Sequence, residues 1–268
     1  YDGEGLGLYY FDLDIHEILN ELADEEIEEE FAKYNCKMNK NELNILMQVV
    51  LGVFKITPAI NYVKSTLTPE EKRDVLGYRA FDNYVMFNCP KTTQGIRSFL
   101  PVKSDENRVV RYVKTVFGCT SEEAKTVLEL VFSLLVQNSI DVSSEKILFK
   151  HQKKDAYQIT ASRYVIKNYK TSKFFQCSKC GRLTPYNLRG KCTRDKCTGI
   201  LSEVNPDEAL ATNFYRNQYK EKKIESIVIQ EHTAQLERKQ AKEYQKDFKN
   251  KKINILSCST TFEMGIDI

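Results

Sequence analysis

Val127, Leu130, Val131, Leu134 and Leu135 recur at three- and four-residue intervals, the apolar stripe of a long amphipathic helix. Thr120-Ser-Glu-Glu123 precedes it as a capping box, in which the Thr hydroxyl and the Glu carboxylate each accept the other residue's backbone N–H. Thr68-Pro69-Glu70-Glu71 is a second such box, with Pro at the first helical position. Leu43, Ile45, Leu46, Val49, Val50 and Val53 are dense enough for a buried helix over residues 41–54. Nearer the start, Ile18, Leu19 and Leu22 lead at helical spacing into an acidic run over 21–30, which predicts a solvent-exposed helix. Residues 84–87 and 96–102, cut by Cys89-Pro90 and Pro101, predict short strands or irregular loops.

Beyond residue 146 short β-type runs appear. Ile147-Leu-Phe149, a polar turn through Lys153-Lys154-Asp155, and Tyr157-Gln-Ile159 predict a hairpin. A long helix followed by a basic hairpin is the layout of a winged helix, and a generic α+β insertion is the alternative. Asn205-Pro206-Asp207-Glu208 opens a further helix expected to run to about Lys222. Residues 224–229 then predict a strand, 236–250 an amphipathic helix and 253–257 a second strand, an alternation that indicates a parallel α/β unit. The expected architecture is mixed α/β and multi-domain. Residues 1–150 form a helix-rich accessory region with a winged-helix-like end, 151–204 a basic hairpin and cysteine ribbon, and 205–268 the first part of an α/β domain.

A chain of 268 residues is long enough for a real hydrophobic core and about two domains. With 41% hydrophobic and 29% charged residues, 11 Gly and 6 Pro, it is neither fibrous nor low-complexity. No apolar run approaches the ~18 residues of a membrane span. The chain opens on Tyr1 and carries twelve acids before its first base, the opposite of a targeting peptide; the missing Met suggests a piece of a longer polypeptide. The net charge of +3 conceals an asymmetry, because residues 151–200 hold twelve Lys and Arg against only Asp155 and Asp195. Such a stretch suits phosphate backbones, a solvated face being the plain alternative.

Four of the eight cysteines, Cys36, Cys89, Cys119 and Cys258, stand singly and read as buried or free thiols, which points to a reducing cytoplasm. The other four are the strongest local signal. Cys177-x2-Cys180 and Cys192-x4-Cys197 form two adjacent turns that can present four thiolates to one tetrahedral Zn²⁺ at ~2.3 Å. Four thiolates leave no open position for water, so the ion's expected role is structural. Fortuitous pairs, a redox dithiol and an iron–sulfur cluster are the alternatives. Lys179, Arg182, Arg189, Lys191 and Arg194 surround the pairs, interleaved with Phe174, Phe175 and Tyr186, a mixture suited to phosphates and stacked bases. Packing of the ribbon on a neighbouring domain is the equally physical alternative.

The segment Ile255-Leu-Ser-Cys-Ser-Thr-Thr-Phe-Glu-Met-Gly-Ile-Asp-Ile268 resembles motif V of superfamily 2 helicases of the DEAD/DEAH-box type, in their second RecA-like domain. Glu231 to Leu236 with Arg238 resembles the His-containing segment upstream of it, although Arg238 lies nearer His232 than is usual. The wording is most similar to bacterial members that carry extra cysteine-cluster domains, some of them serving anti-phage systems such as Druantia. The resemblance covers about residues 224–268 and the ribbon as an insertion. It implies a partial RecA-like motor domain in which Ser259 and Thr260 face the nucleic-acid backbone, while Gly265 and Asp267 lie at the nucleotide cleft. It also implies DNA rather than RNA as partner, no membrane, and ATP with Mg²⁺ as cofactors of the intact parent, whose remaining motor parts complete the enzyme. These 268 residues hold no GxxxxGK[ST] loop, DExx box or motif VI, so no catalytic residue is assigned, and a non-enzymatic nucleic-acid-binding or protein-docking zinc module is the rival reading.

Overall fold

The computed structural model describes residues 3–62, 68, 70–71, 83–89, 94–137, 147–221, 226–232 and 237–258, a mixed α/β chain in two units, 1–216 and 217–268. In the first unit the helices Lys40–Val50 and Ser121–Gln137 form where the apolar stripes predict them. Both capping boxes close: Thr120 and Glu123 exchange bonds of 2.7 and 3.3 Å, Thr68 and Glu71 bonds of 2.7 and 3.2 Å. The acidic region departs from one exposed helix. It splits into His16–Asn20 and Asp24–Ala32, because Ala23 takes an extended conformation and its N–H donates to Glu26. The apolar side of the second piece is not solvated, since Ile27 and Phe31 are buried.

A further helix, Arg108–Phe117, runs from the Asn107 cap to Gly118, whose φ of 74° ends it in the left-handed region that glycine adopts without strain. Phe132 of the long helix is the hub of the core, its ring centroid 5.3 Å from Phe87 and Phe99, 5.8 Å from Tyr157 and 6.5 Å from Phe54. Behind it lies a mixed sheet. The predicted hairpin is present, with β5 (Leu148–Lys150) antiparallel to β6 (Ala156–Thr160). It is no free-standing wing, because the other edge of β6 pairs with β2 (Ile60–Asn61) and β3 (Tyr84–Met86), and β3 with β4 (Ile96–Ser98).

The first strand, β1 (Tyr9–Leu13), pairs antiparallel with β7 (Tyr164–Asn168). Gln48, buried in the Lys40–Val50 helix, holds the end of β1 by accepting the Leu13 N–H at 2.9 Å and donating to its carbonyl at 2.7 Å. The cysteine ribbon follows as a three-stranded antiparallel sheet in the order β10 (Leu201–Val204), β8 (Phe174–Cys177), β9 (Leu183–Thr184). The helix expected from Asn205 to Lys222 is broken. Pro206–Ala209 stops at Leu210, and Asn213 caps a second helix, Phe214–Glu221, by accepting the Arg216 N–H at 3.0 Å.

In the second unit β11 (Ile229–His232) and β12 (Ile255–Cys258) pair in parallel, joined through the helix Arg238–Lys249. Of the strand expected over 224–229, residues 224 and 225 lie outside the described residues, 226–228 are not strand, and the ladder begins at Ile229. Asn254 intervenes just before the ladder, its side chain accepting the Val228 N–H at 2.7 Å. Among the described residues no helix is long and apolar enough to cross a membrane.

Candidate metal centre

Strand β8 ends on Cys177, and the turn that follows brings Cys180 back beneath it, closed by the Gly181 N–H donating to the Cys177 carbonyl at 3.0 Å. Gly181 has φ +65°, which a side chain would strain. The second turn, Cys192 to Cys197, has two residues more, and within it Lys196 takes the left-handed conformation at φ 60°. The four sulfurs lie within 4.8 Å of one another, with Cys177 and Cys197 at 3.7 Å and Cys180 and Cys192 also at 3.7 Å. A regular tetrahedron with bonds of ~2.3 Å has edges of ~3.8 Å, so the set has the size of a single tetrahedral ion such as zinc. A disulfide needs ~2.05 Å, and these cysteines are free. An iron–sulfur cluster interposes several atoms between its ligands and spreads the sulfurs further.

The backbone is already arranged for thiolates. Burial opposes ionisation at Cys177, yet the N–H groups of Cys180 and Lys179 donate to its sulfur and pull the thiol down to about 6. Burial pushes Cys192 the other way, up to about 12, although the Arg194 N–H donates to its sulfur at 3.4 Å. A cation entering this set displaces protons from it, so affinity falls as pH falls.

Gly199 lies directly over the site. A Cβ there would stand 2.3 Å from the Cys177 sulfur and 3.0 Å from the Lys179 amide nitrogen. Gly199→Ala is therefore expected to displace a ligand and weaken zinc affinity roughly 10-fold or more, measured by competition against a chromophoric chelator. Unchanged affinity would mean the Cys177 sulfur has room to move.

The ribbon is fastened to the helices beside it. Arg111 grips Asp195 with two bonds, of 2.9 and 2.7 Å, and holds that carboxyl below the usual carboxylate range. Arg189, one of the predicted phosphate ligands, is engaged internally: its guanidinium bonds Glu42 at 2.8 and 3.2 Å and the Lys37 carbonyl at 2.6 Å, and lies over the Phe117 ring. The Tyr186 hydroxyl donates to the Phe11 carbonyl, 3.1 Å away, with Asp12 at 3.3 Å.

The other predicted phosphate ligands are disposed separately. Lys179 and Arg194 are exposed on the two cysteine turns, the Lys179 ammonium bonded to the Thr198 hydroxyl at 2.5 Å, and Lys191 is half-buried. Arg182 is exposed and comes near Arg108, which the sequence reading did not single out. Ser259, Thr260, Gly265 and Asp267 lie outside the described residues, and of the upstream segment only the backbone of His232 and Arg238 and residue Glu231 are described. No protein-family model matches this chain, and neither does any curated protein or solved structure.

Proposed function

We propose that this chain supplies a zinc-stabilised, basic nucleic-acid-binding platform and part of the nucleotide cleft to an ATP-dependent DNA helicase or translocase of the superfamily 2 type, acting in DNA processing or anti-phage defence. The observation that carries the reading is the parallel β11–β12 pair joined through a helix, since open parallel sheets bind ligands beyond the carboxyl ends of their strands. The hydroxyl-rich run 257–261 begins at that end of β12. By the resemblance, Ser259 and Thr260 meet the nucleic-acid backbone and Gly265 with Asp267 the nucleotide, while ATP and Mg²⁺ are held by elements these 268 residues lack. The zinc is structural in this reading, and Lys179 and Arg194 on its turns offer cations to phosphate.

The rival, a protein-docking zinc module with no motor, is favoured by the use of Arg189 and Asp195 in contacts within the chain. Salt separates the two. Affinity for a DNA oligonucleotide is expected to fall roughly 10-fold or more between about 50 and 200 mM salt, because bound cations release counterions from phosphate. Lys179→Ala with Arg194→Ala is expected to flatten that slope, while Arg189→Ala acts through docking of the ribbon. Affinity that stays constant across this range would refute the nucleic-acid reading.

A further inference from the structure

In the first unit a cleft of about 360 Å³ opens between β1, the helix Gly52–Ile56, the start of Arg108–Phe117 and the ribbon, its lining including Tyr9, Phe11, Lys55, Arg108, Arg182 and Tyr186. Three cations from three separate elements meet there, with Glu4 as the acid in the lining. Arg108 is half-buried, and its hydrogen bond is a long one, 3.4 Å to the Thr193 carbonyl. Among the described residues neither Arg108 nor Arg182 has a carboxylate within ion-pairing distance. Burial, and then the neighbouring Arg182 guanidinium, hold Arg108 below the ordinary arginine value, with Asp195 and Glu4 acting in the opposite direction. Two like charges brought together in a half-buried cleft are the arrangement an anion relieves.

The second observation concerns the aromatic wall. Tyr9 and Phe11 project from one side of β1 and remain 42% and 41% exposed, their rings edge to face at 5.9 Å. Tyr186 is held from below by its bonds to Phe11 and Asp12. The volume is near the lower end of small-ligand sites and suits one nucleotide unit. Cations beside solvent-facing rings are the pairing that single strands use, phosphate on guanidinium and base on ring.

We propose that this cleft holds one nucleotide of a single-stranded nucleic acid, with Arg108 and Arg182 on its phosphate and Tyr9 or Phe11 against its base. The proposal rests on the nucleic-acid reading above and adds to it where the strand crosses from the helical region to the ribbon. The test is fluorescence anisotropy of the full chain, zinc-loaded, with a labelled 15-nucleotide oligo-dT. Arg108→Gln with Arg182→Gln is expected to weaken binding at least 10-fold and to lower the salt slope by about 1 or more. Phe11→Leu keeps an apolar β residue and is expected to weaken binding about 5-fold or more with the slope unchanged, a loss of stacking alone.

Wild-type affinity and slope in the double arginine variant, with zinc content and circular dichroism intact, would overturn the cleft while leaving nucleic-acid binding by the ribbon standing. Equal affinity for dTMP and for the oligomer would make this a mononucleotide pocket and overturn the strand. If the unaltered chain binds no oligonucleotide, the underlying reading falls and the cleft proposal with it.

Discussion

Removing the metal is expected to unfold the ribbon while the helical core stays folded. The ribbon's own apolar cluster consists of Cys177, Cys192 and Leu201, with Phe175, Cys180 and Cys197 packed against it, so four of its six members are the ligands themselves. Little apolar surface remains to replace the ion, whose binding contributes on the order of 10 kcal/mol in isolated zinc modules. Chelation, or Cys180→Ala, is therefore expected to abolish hydrogen-exchange protection at the amides that lace the turns, Cys177 to Arg182, Ser178 to Ile200 and Leu201 to Gly190. Phe132 and its aromatic partners do not depend on the ribbon, so the amides of Ser121–Gln137 are expected to keep theirs. Metal-free protein with native protection across 177–201 would show that the four thiols stabilise nothing.

A second large effect is expected at Arg216. Its side chain is 1% exposed, and its guanidinium donates to the carbonyls of Leu6 and Gly7, bonds Asp207 at 2.7 Å and lies 4.8 Å from the centre of the Tyr169 ring. Arg216→Met keeps much of the volume and withdraws every donor, which leaves two buried carbonyls without this partner. The cost is about 3 kcal/mol, a fall of roughly 10 °C in the melting temperature of a unit this size. Arg216→Lys is expected to rescue little, since one ammonium cannot reproduce the planar fork. A melting temperature within about 2 °C of the unaltered protein would show the fork to be dispensable.

These two sites differ in how far the sequence discloses them. Metal ligands declare themselves, because four thiols must come from close turns and the turns write their spacing into the chain. Local helix grammar is equally legible, as the boxes at Thr68 and Thr120 and the stripe from Val127 to Leu135 illustrate. Arg216 is opaque for the opposite reason. It stands in the polar helix Phe214–Glu221, and what buries it is a pair of backbone carbonyls some 210 positions away that carry no side-chain signature. The partner of Arg189 is similarly remote, at Glu42, so a base read as free for phosphate is engaged within the chain. The helix Arg108–Phe117 was within reach of pattern alone, since Asn107 caps it and Val109, Val110, Val113 and Val116 repeat along it. Strand β11 was misplaced because the β-branched run before Ile229 has the right composition, whereas pairing is decided by where Asn254 lets the ladder begin.

The pairing of β1 with β7 also sets an order of events during synthesis. Tyr9 meets Asn168, about 160 residues further on, so the first strand emerges from the ribosome long before its partner exists. At roughly 5–20 residues per second that interval is on the order of ten to thirty seconds. Throughout it the sequence Tyr9-Tyr10-Phe11 is an unpaired aromatic strand, the kind of segment that associates with other nascent chains or is held by a chaperone. Gln48 is translated much sooner and can secure the Leu13 end of β1 as soon as its helix forms. The contact that looks least consequential in the finished fold thus shelters the chain while the rest is still being made.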